Sequence, residues 1–222
     1  MIVRGLYGMV DLPATAEPAA ATALAGALVD GGARVLQLRM KGADAAEQLA
    51  LARLLAPWCR ARGVTFIVND RVDVALAAGA DGVHLGQDDL PLPAARTIVP
   101  AGFVIGVSTH DEAQARAAID GGASYIGFGP CFPTSSKRNP DPVVGLEQLA
   151  RICAFASIPV VAIGGITLDT VADVARAGAA AAAIIRAVNS APDITSAAHA
   201  VCQAFRTDEQ EIMRSRDQSG ET

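Results

Sequence analysis

Two carboxylates and a short run of cations are the groups in this chain best suited to chemistry. The stretch from Phe66 to Leu90 holds two apolar runs that each stop at acidic residues. Phe66-Ile67-Val68 leads into Asn69-Asp70, and Val83-His84-Leu85 leads into Gly86-Gln87-Asp88-Asp89. If a right-handed crossover joins them, the runs are parallel strands with their carboxyl ends at one edge of a sheet, and Asp70 and Asp89 become neighbours. Two hard oxygen ligands with room left for water and a substrate phosphate suit Mg²⁺, which seldom fills its shell from protein alone. The competing reading of both aspartates is a helix cap, since Asp70 precedes an apolar-periodic segment and Asp89 precedes Leu90-Pro91.

The cations offer a partner for an anion. In Gln37-Leu38-Arg39-Met40-Lys41 strand alternation turns Gln37, Arg39 and Lys41 to one side. A guanidinium fork and an ammonium are the groups that hold a diphosphate. Arg39 could instead pair with a carboxylate as part of the structure. Thr134, Ser135, Ser136 and Lys137 place hydroxyls and an ammonium side by side. Such a turn cradles phosphate, though the hydroxyls alone also suit a plain solvated loop. Gly164-Gly165 lets a phosphate approach bare backbone or simply makes a tight turn. Arg186 follows the last apolar run. His84 and His110 are candidates for acid–base work or for structural hydrogen bonds, and His199 lies in the last helical segment.

Something must bring these groups together, and the order of elements supplies it. Short apolar runs occur near Leu6–Val10, Val35–Leu38, Phe66–Val68, Val83–Leu85, Val104–Val107, Tyr125–Phe128, Val160–Ile163 and Ala181–Ile185, with helix-length segments between them. A small-residue turn recurs at Gly31-Gly32-Ala33, Ala78-Gly79-Ala80, Gly121-Gly122-Ala123 and Ala177-Gly178-Ala179, as a glycine-capped helix end would require. The glycines Gly32, Gly79, Gly122 and Gly178 are 47, 43 and 56 residues apart, one βαβα unit per interval. Four such units close an α/β fold of a single kind, an eight-stranded (β/α)8 TIM barrel. An open doubly wound sheet fits less well, because no glycine-rich dinucleotide turn follows the first strand. In a barrel the carboxyl ends of the strands form the active face, where the groups named above would gather, except His199, which lies far from the mouth. The barrel domain is expected to span residues 1–205. Residues 206–222, RTDEQEIMRSRDQSGET, read as a polar tail that frays into disorder.

Composition narrows the partners. Apolar residues make up 51% of the chain and charged residues 18%, enough to build a core. A net charge of −5 with no basic run argues against nucleic acid and anionic membranes as partners. Cys59, Cys131, Cys153 and Cys202 form no C-x-x-C pair, which fits reduced thiols in a cytoplasmic protein. No targeting segment or membrane span is expected. The sequence does not choose between a monomer and a homo-oligomer.

Taken jointly, QLRMK at 37–41, VND at 68–70, GVHLGQDD at 82–89, IGVSTH at 105–110, GFGPCFPTSSK at 127–137 and AIGGI at 162–166 resemble the motifs of thiamine phosphate synthases (thiamine phosphate pyrophosphorylases). The resemblance runs to about Ala191. It implies a (β/α)8 barrel that joins a pyrimidinylmethyl diphosphate to a thiazole phosphate by a dissociative displacement, releasing diphosphate. Carried over residue by residue, it implies that Gln37, Leu38, Arg39, Met40, Lys41, Asn69, Ser108 and Lys137 contact the pyrimidine diphosphate. Of these, Arg39, Lys41 and Lys137 would stabilise the departing charge. Asp70 and Asp89 would hold Mg²⁺, and Thr134, Ser135, Ser136, Gly165, Ile185 and Arg186 would bind the thiazole phosphate. At position 186 the family commonly carries a small hydroxyl residue, so the arginine here either strengthens phosphate binding or fills the pocket. Two rival readings are a thiazole tautomerase-like isomerase, which needs no metal or diphosphate site, and a weakly catalytic barrel that binds phosphorylated ligands.

Overall fold

The apolar runs become strands. The computed structural model describes residues 3–134 and 142–219, with side chains to Arg206. Its strands are β1 (Gly5–Asp11), β2 (Val35–Arg39), β3 (Thr65–Asn69), β4 (Gly82–Leu85), β5 (Val104–Thr109), β6 (Tyr125–Phe128), β7 (Val160–Ile163) and β8 (Ala181–Ile184). The helices are α1 (Pro18–Asp30), α2 (Ala45–Arg60), α3 (Val72–Ala78), α4 (Leu92–Ile98), α5 (Glu112–Asp120), α6 (Gly145–Phe155), α7 (Val171–Arg176), α8 (Arg186–Asn189) and α9 (Ile194–Ser219). Neighbouring strands pair in parallel in chain order, and β8 returns to β1 with Ala181 opposite Gly5, closing the barrel.

Strand alternation divides the core into two layers. Tyr7, Met9, Val35, Ile67, Tyr125, Val161 and Ala181 fill the barrel interior. Leu6, Val10, Leu36, Leu38, Phe66, Val68, Val83 and Leu85 face outward and pack under the helices. A register slip of one residue would exchange the layers, so each strand's apolar pattern fixes its pairing. The recurring turns behave as their composition requires: Gly32, Gly79, Gly122 and Gly178 all have φ between 67° and 110°, the left-handed conformation in which a side chain is strained.

Helix α9 continues past Arg206 to Ser219. The tail's side chains beyond Arg206, and residues 220–222 altogether, lie outside the described residues. Among the described residues no helix is long and apolar enough to cross a membrane.

Candidate active site

The turn after β3 explains how Asp70 reaches the rim. Asp70 has φ of 63° and is the one described residue other than glycine with a positive φ. Its N–H donates to the His84 carbonyl at 2.8 Å, and the Arg71 N–H turns back to the Asn69 carbonyl at 2.7 Å. Backbone held in this sparsely populated region costs about 1 kcal/mol or more and is concentrated at functional sites. Neither aspartate caps a helix: the N-cap positions of α3 and α4 are Arg71 and Pro91. Asp89 instead closes its own turn, accepting from the Gly86 N–H at 2.6 Å.

The two carboxylates are neighbours, as the strand order requires. Burial, and next the charge of Asp89 and a hydrogen bond shared with it, push the Asp70 carboxyl up to about 6, while Lys41 and Arg39 act in the opposite direction. Among the described residues no group of three or more His, Cys, Asp or Glu is placed so that it could hold a metal ion. A cation held by this pair must therefore take most of its shell from water and substrate oxygens, which is how Mg²⁺ is usually bound.

Around the pair lies a cavity of about 460 Å³ lined by Arg39, Lys41, Asn69, Asp70, His84, Asp88, Asp89, Ser108, His110 and Thr134, among others. Arg39 is ion-paired with Asp11, the last residue of β1. His110 donates from Nδ1 to the Gly129 carbonyl at 2.5 Å, which fixes its ring at the wall. A second cavity, of about 370 Å³, adjoins the first and shares Thr134 and Gly164 with it. It is also lined by Gly165, Ile185, Arg186 and Ala187. Gly165 has φ of 68°, and a Cβ there would lie 2.5 Å from the carbonyl oxygens of Phe132 and Pro133. No larger residue fits that approach. The second cavity sits where the loops after β7 and β8 meet the short helix α8, a recurrent place for phosphate in these barrels.

A third, smaller cavity of about 170 Å³ opens below the first, inside the barrel. Tyr7, Gln37, Tyr125, Val161 and Ile163 line it, and Arg39, Asn69, His84 and Ser108 belong to both. Burial holds the His84 imidazole down at about 4, despite the opposing charge of Asp89.

The structure separates the members of the 37–41 motif. Gln37 and Arg39 face the cavities, but the side chains of Leu38 and Met40 pack in the outer layer under the helices. Only their backbone can meet a ligand, because alternate residues of a strand cannot share a face. Ser135, Ser136 and Lys137 lie outside the described residues. Asp11, Tyr7 and Tyr125 were missed as site residues. Asp11 follows an apolar run as Asp70 does, so the same signal could have found it, whereas the tyrosines are indistinguishable from core in the sequence.

Residues 9–188 match the family model described as thiamine monophosphate synthase. The chain belongs to that family. The match takes in the rim from Asp11 to Arg186, including every strand end that lines the cavities. A thiamine-phosphate synthase from Roseiflexus sp. (strain RS-1) is 47% identical over 199 residues, covering 88% of this chain and 84% of that one. One from Methanocella arvoryzae is 50% identical over 175 residues, covering 79% and 82%. Among solved structures, thiamine phosphate pyrophosphorylase from Pyrococcus furiosus superposes with a TM-score of 0.79 at 35% identity, covering 91% of this chain and 96% of that one. The family match thus runs from within β1 through β8 to α8, not over one isolated motif.

Proposed function

We propose that this barrel is a thiamine phosphate synthase: it joins a pyrimidinylmethyl diphosphate to a thiazole phosphate, forming thiamine phosphate and releasing diphosphate with the help of Mg²⁺. The observation that carries the reading is the pair of adjoining cavities on a barrel of this family. One is lined by Arg39, Lys41, Asn69, Asp70, Asp89 and Ser108, the other by Thr134, Gly165, Ile185 and Arg186. Two anions can then sit at one rim with the reacting atoms between them. A tautomerase-like isomerase has no use for the first set.

The chain's own residues meet the demands of a dissociative displacement. As the bond from the pyrimidinylmethyl carbon to the diphosphate oxygen breaks, negative charge grows on the departing group. Arg39 and Lys41 stabilise that charge more than they stabilise the bound substrate, which is what accelerates the step. Lys137 joins them by its place in the motif. Asp70 and Asp89 suit Mg²⁺, since the charge of Asp89 raises the cost of ionising Asp70 and a cation beside them offsets it. When bound, the ion would neutralise diphosphate oxygens as a Lewis acid. Thr134, Gly165 and Arg186 hold the second phosphate, with Ser135 and Ser136 assigned beside them by motif. The thiazole nitrogen is then positioned by its tether and requires no protein nucleophile. Four free cysteines, three of them buried, fit a cytoplasmic setting.

The test is direct. Purified protein mixed with both substrates should form thiamine phosphate only with a divalent cation, and Asp70→Ala and Asp89→Ala should each lower turnover while leaving the circular dichroism of the barrel intact. Full activity in excess chelator would remove the metal from the reading, and no product under any condition would remove the reaction.

A further inference from the structure

Inside the barrel, beneath the charged rim, five polar side chains are joined in a line. Gln37 Nε2 donates to the Tyr7 hydroxyl at 2.9 Å, and the Tyr7 and Tyr125 hydroxyls are 2.6 Å apart. The Tyr125 hydroxyl meets His84 Nδ1 at 2.9 Å, and His84 Nε2 meets Ser108 Oγ at 2.9 Å. The five residues come from β1, β2, β4, β5 and β6, so one closed sheet fixes their spacing. Tyr7, Tyr125 and Gln37 are buried.

With the Gln37 amide donating to Tyr7, one direction of hydrogen bonding satisfies every member. The Tyr7 oxygen accepts from Gln37, so its own hydrogen goes to Tyr125. Tyr125 then donates to His84 Nδ1, which must be the bare nitrogen. His84 therefore carries its hydrogen on Nε2 and gives it to the Ser108 oxygen. Ser108 is left with its own hydrogen to donate. A hydrogen on Nδ1, with or without one on Nε2, would force Tyr125 to donate back to Tyr7. The Tyr7 hydrogen would then be stranded in the barrel interior, where an unmade bond costs about 1–3 kcal/mol. A Gln37 amide turned the other way round would reverse the whole line and leave Ser108 presenting only lone pairs.

The line ends at a telling place. Ser108 lines both the charged upper cavity and the mainly apolar lower one. A substrate with an aromatic ring below and a diphosphate above carries the bond between them past this hydroxyl. We propose that Tyr7, Tyr125 and His84 are positioning residues that hold the Ser108 hydroxyl as a hydrogen-bond donor to the diphosphate oxygen that departs when that bond breaks. The proposal rests on the reaction assigned above. Every hydrogen in the line stays on its donor; only the polarisation grows, each bond strengthening the next as charge develops on the leaving oxygen.

Two measurements test it. In ¹⁵N NMR of the ligand-free protein with labelled histidine, His84 should show a protonated Nε2 and a bare Nδ1 at neutral pH; an Nδ1–H tautomer or an imidazolium overturns the proposal. In kinetics, Tyr125→Phe keeps the ring and removes the donor. It should lower kcat about 10-fold, the loss of roughly one hydrogen bond, with KM for the thiazole phosphate unchanged within about 2-fold. It should also release His84 from its single tautomer. In a Ser108→Ala background the same substitution should cost nothing further, and additive losses would show that Tyr125 acts by some other route. Tyr7→Phe spares the Tyr125–His84 bond and covers the case in which Tyr125→Phe does not fold. Its loss should be smaller and equally absent on Ser108→Ala. The tautomer is read without substrate, so the wrong tautomer defeats the relay while product formation stands. The right tautomer in a protein that makes no product defeats the reaction, and with it the relay's target.

Discussion

The guanidinium of Arg39 is paired with Asp11 across the ends of β1 and β2, and under the proposed function that carboxylate would orient the charge toward the diphosphate. A long side chain ordered in advance loses less freedom on binding. Arg39→Ala should therefore lower kcat/KM by about 100-fold or more, the scale for removing one preorganised stabiliser of developing charge. Asp11→Asn keeps the shape and the arginine but removes the anion, and should cost about 10-fold, roughly one charge-assisted hydrogen bond. Steady-state kinetics on the two variants checks the order; an unchanged Asp11→Asn enzyme would leave Asp11 without a part in the site. Arg186 is tested by the same logic at the other cavity. If it binds the thiazole phosphate, Arg186→Ser should raise the KM of that substrate about 10- to 100-fold and leave the pyrimidine diphosphate unaffected, since hydrogen bonds to charged groups contribute roughly 1.5–3 kcal/mol. Tighter thiazole phosphate binding in Arg186→Ser would show that the arginine obstructs the pocket.

At the scale of elements, β5 and β6 are matched through one glycine. Gly106 stands opposite Tyr125 in the strand register. A Cβ on Gly106 would lie 2.0 Å from the ring carbon Cζ of Tyr125 and 2.3 Å from its hydroxyl oxygen, so the tyrosine occupies space that a side chain would fill. Gly106→Ala should destabilise the barrel by about 1–3 kcal/mol, the usual cost of overpacking a core, as read from urea unfolding. An equally stable variant would mean that Tyr125 has room to move. Much of the fold was legible because each strand is short, apolar and followed by polar residues, and because the capped helix ends recur at one βαβα interval. The rim residues were legible for the same reason: a barrel gathers the carboxyl ends of its strands whatever their order in the chain. The hydrogen-bonded line was not. Tyr7 and Tyr125 sit in apolar runs 118 residues apart, and their partnership depends on which interior positions meet across the barrel. Leu38 and Met40 entered the site only because the 37–41 motif was carried over whole; strand alternation, applied to each residue in turn, puts both outside.

At the scale of the whole molecule, the half-buried His84 and Asp70 have protonation preferences that oppose each other. Burial keeps His84 at about 4, below its ordinary 6.5, so the unfolded chain takes up a proton first as pH falls. The stability contributed by the neutral imidazole is complete above about pH 6.5 and is lost between there and pH 4, with about 2 kcal/mol gone by pH 5. Asp70 has the opposite sign. Its carboxyl is raised from 3.8 to about 6, so the folded state takes up that proton first and the penalty of burying the charge eases as pH falls through about 6. The groups facing His84 are the Tyr125 hydroxyl at Nδ1, Ser108 at Nε2 and the charge of Asp89, while the Asp70 N–H meets its carbonyl. In wild-type protein kept free of metal by chelator, the two effects should largely cancel and leave a shallow dependence of stability on pH. His84→Asn removes one of them. Relative to wild type, the variant should gain about 2 kcal/mol on going from pH 7 to pH 5, measured by urea unfolding at both values. A stability difference that is the same at both pH values would mean that His84 titrates no differently in the barrel than in the unfolded chain.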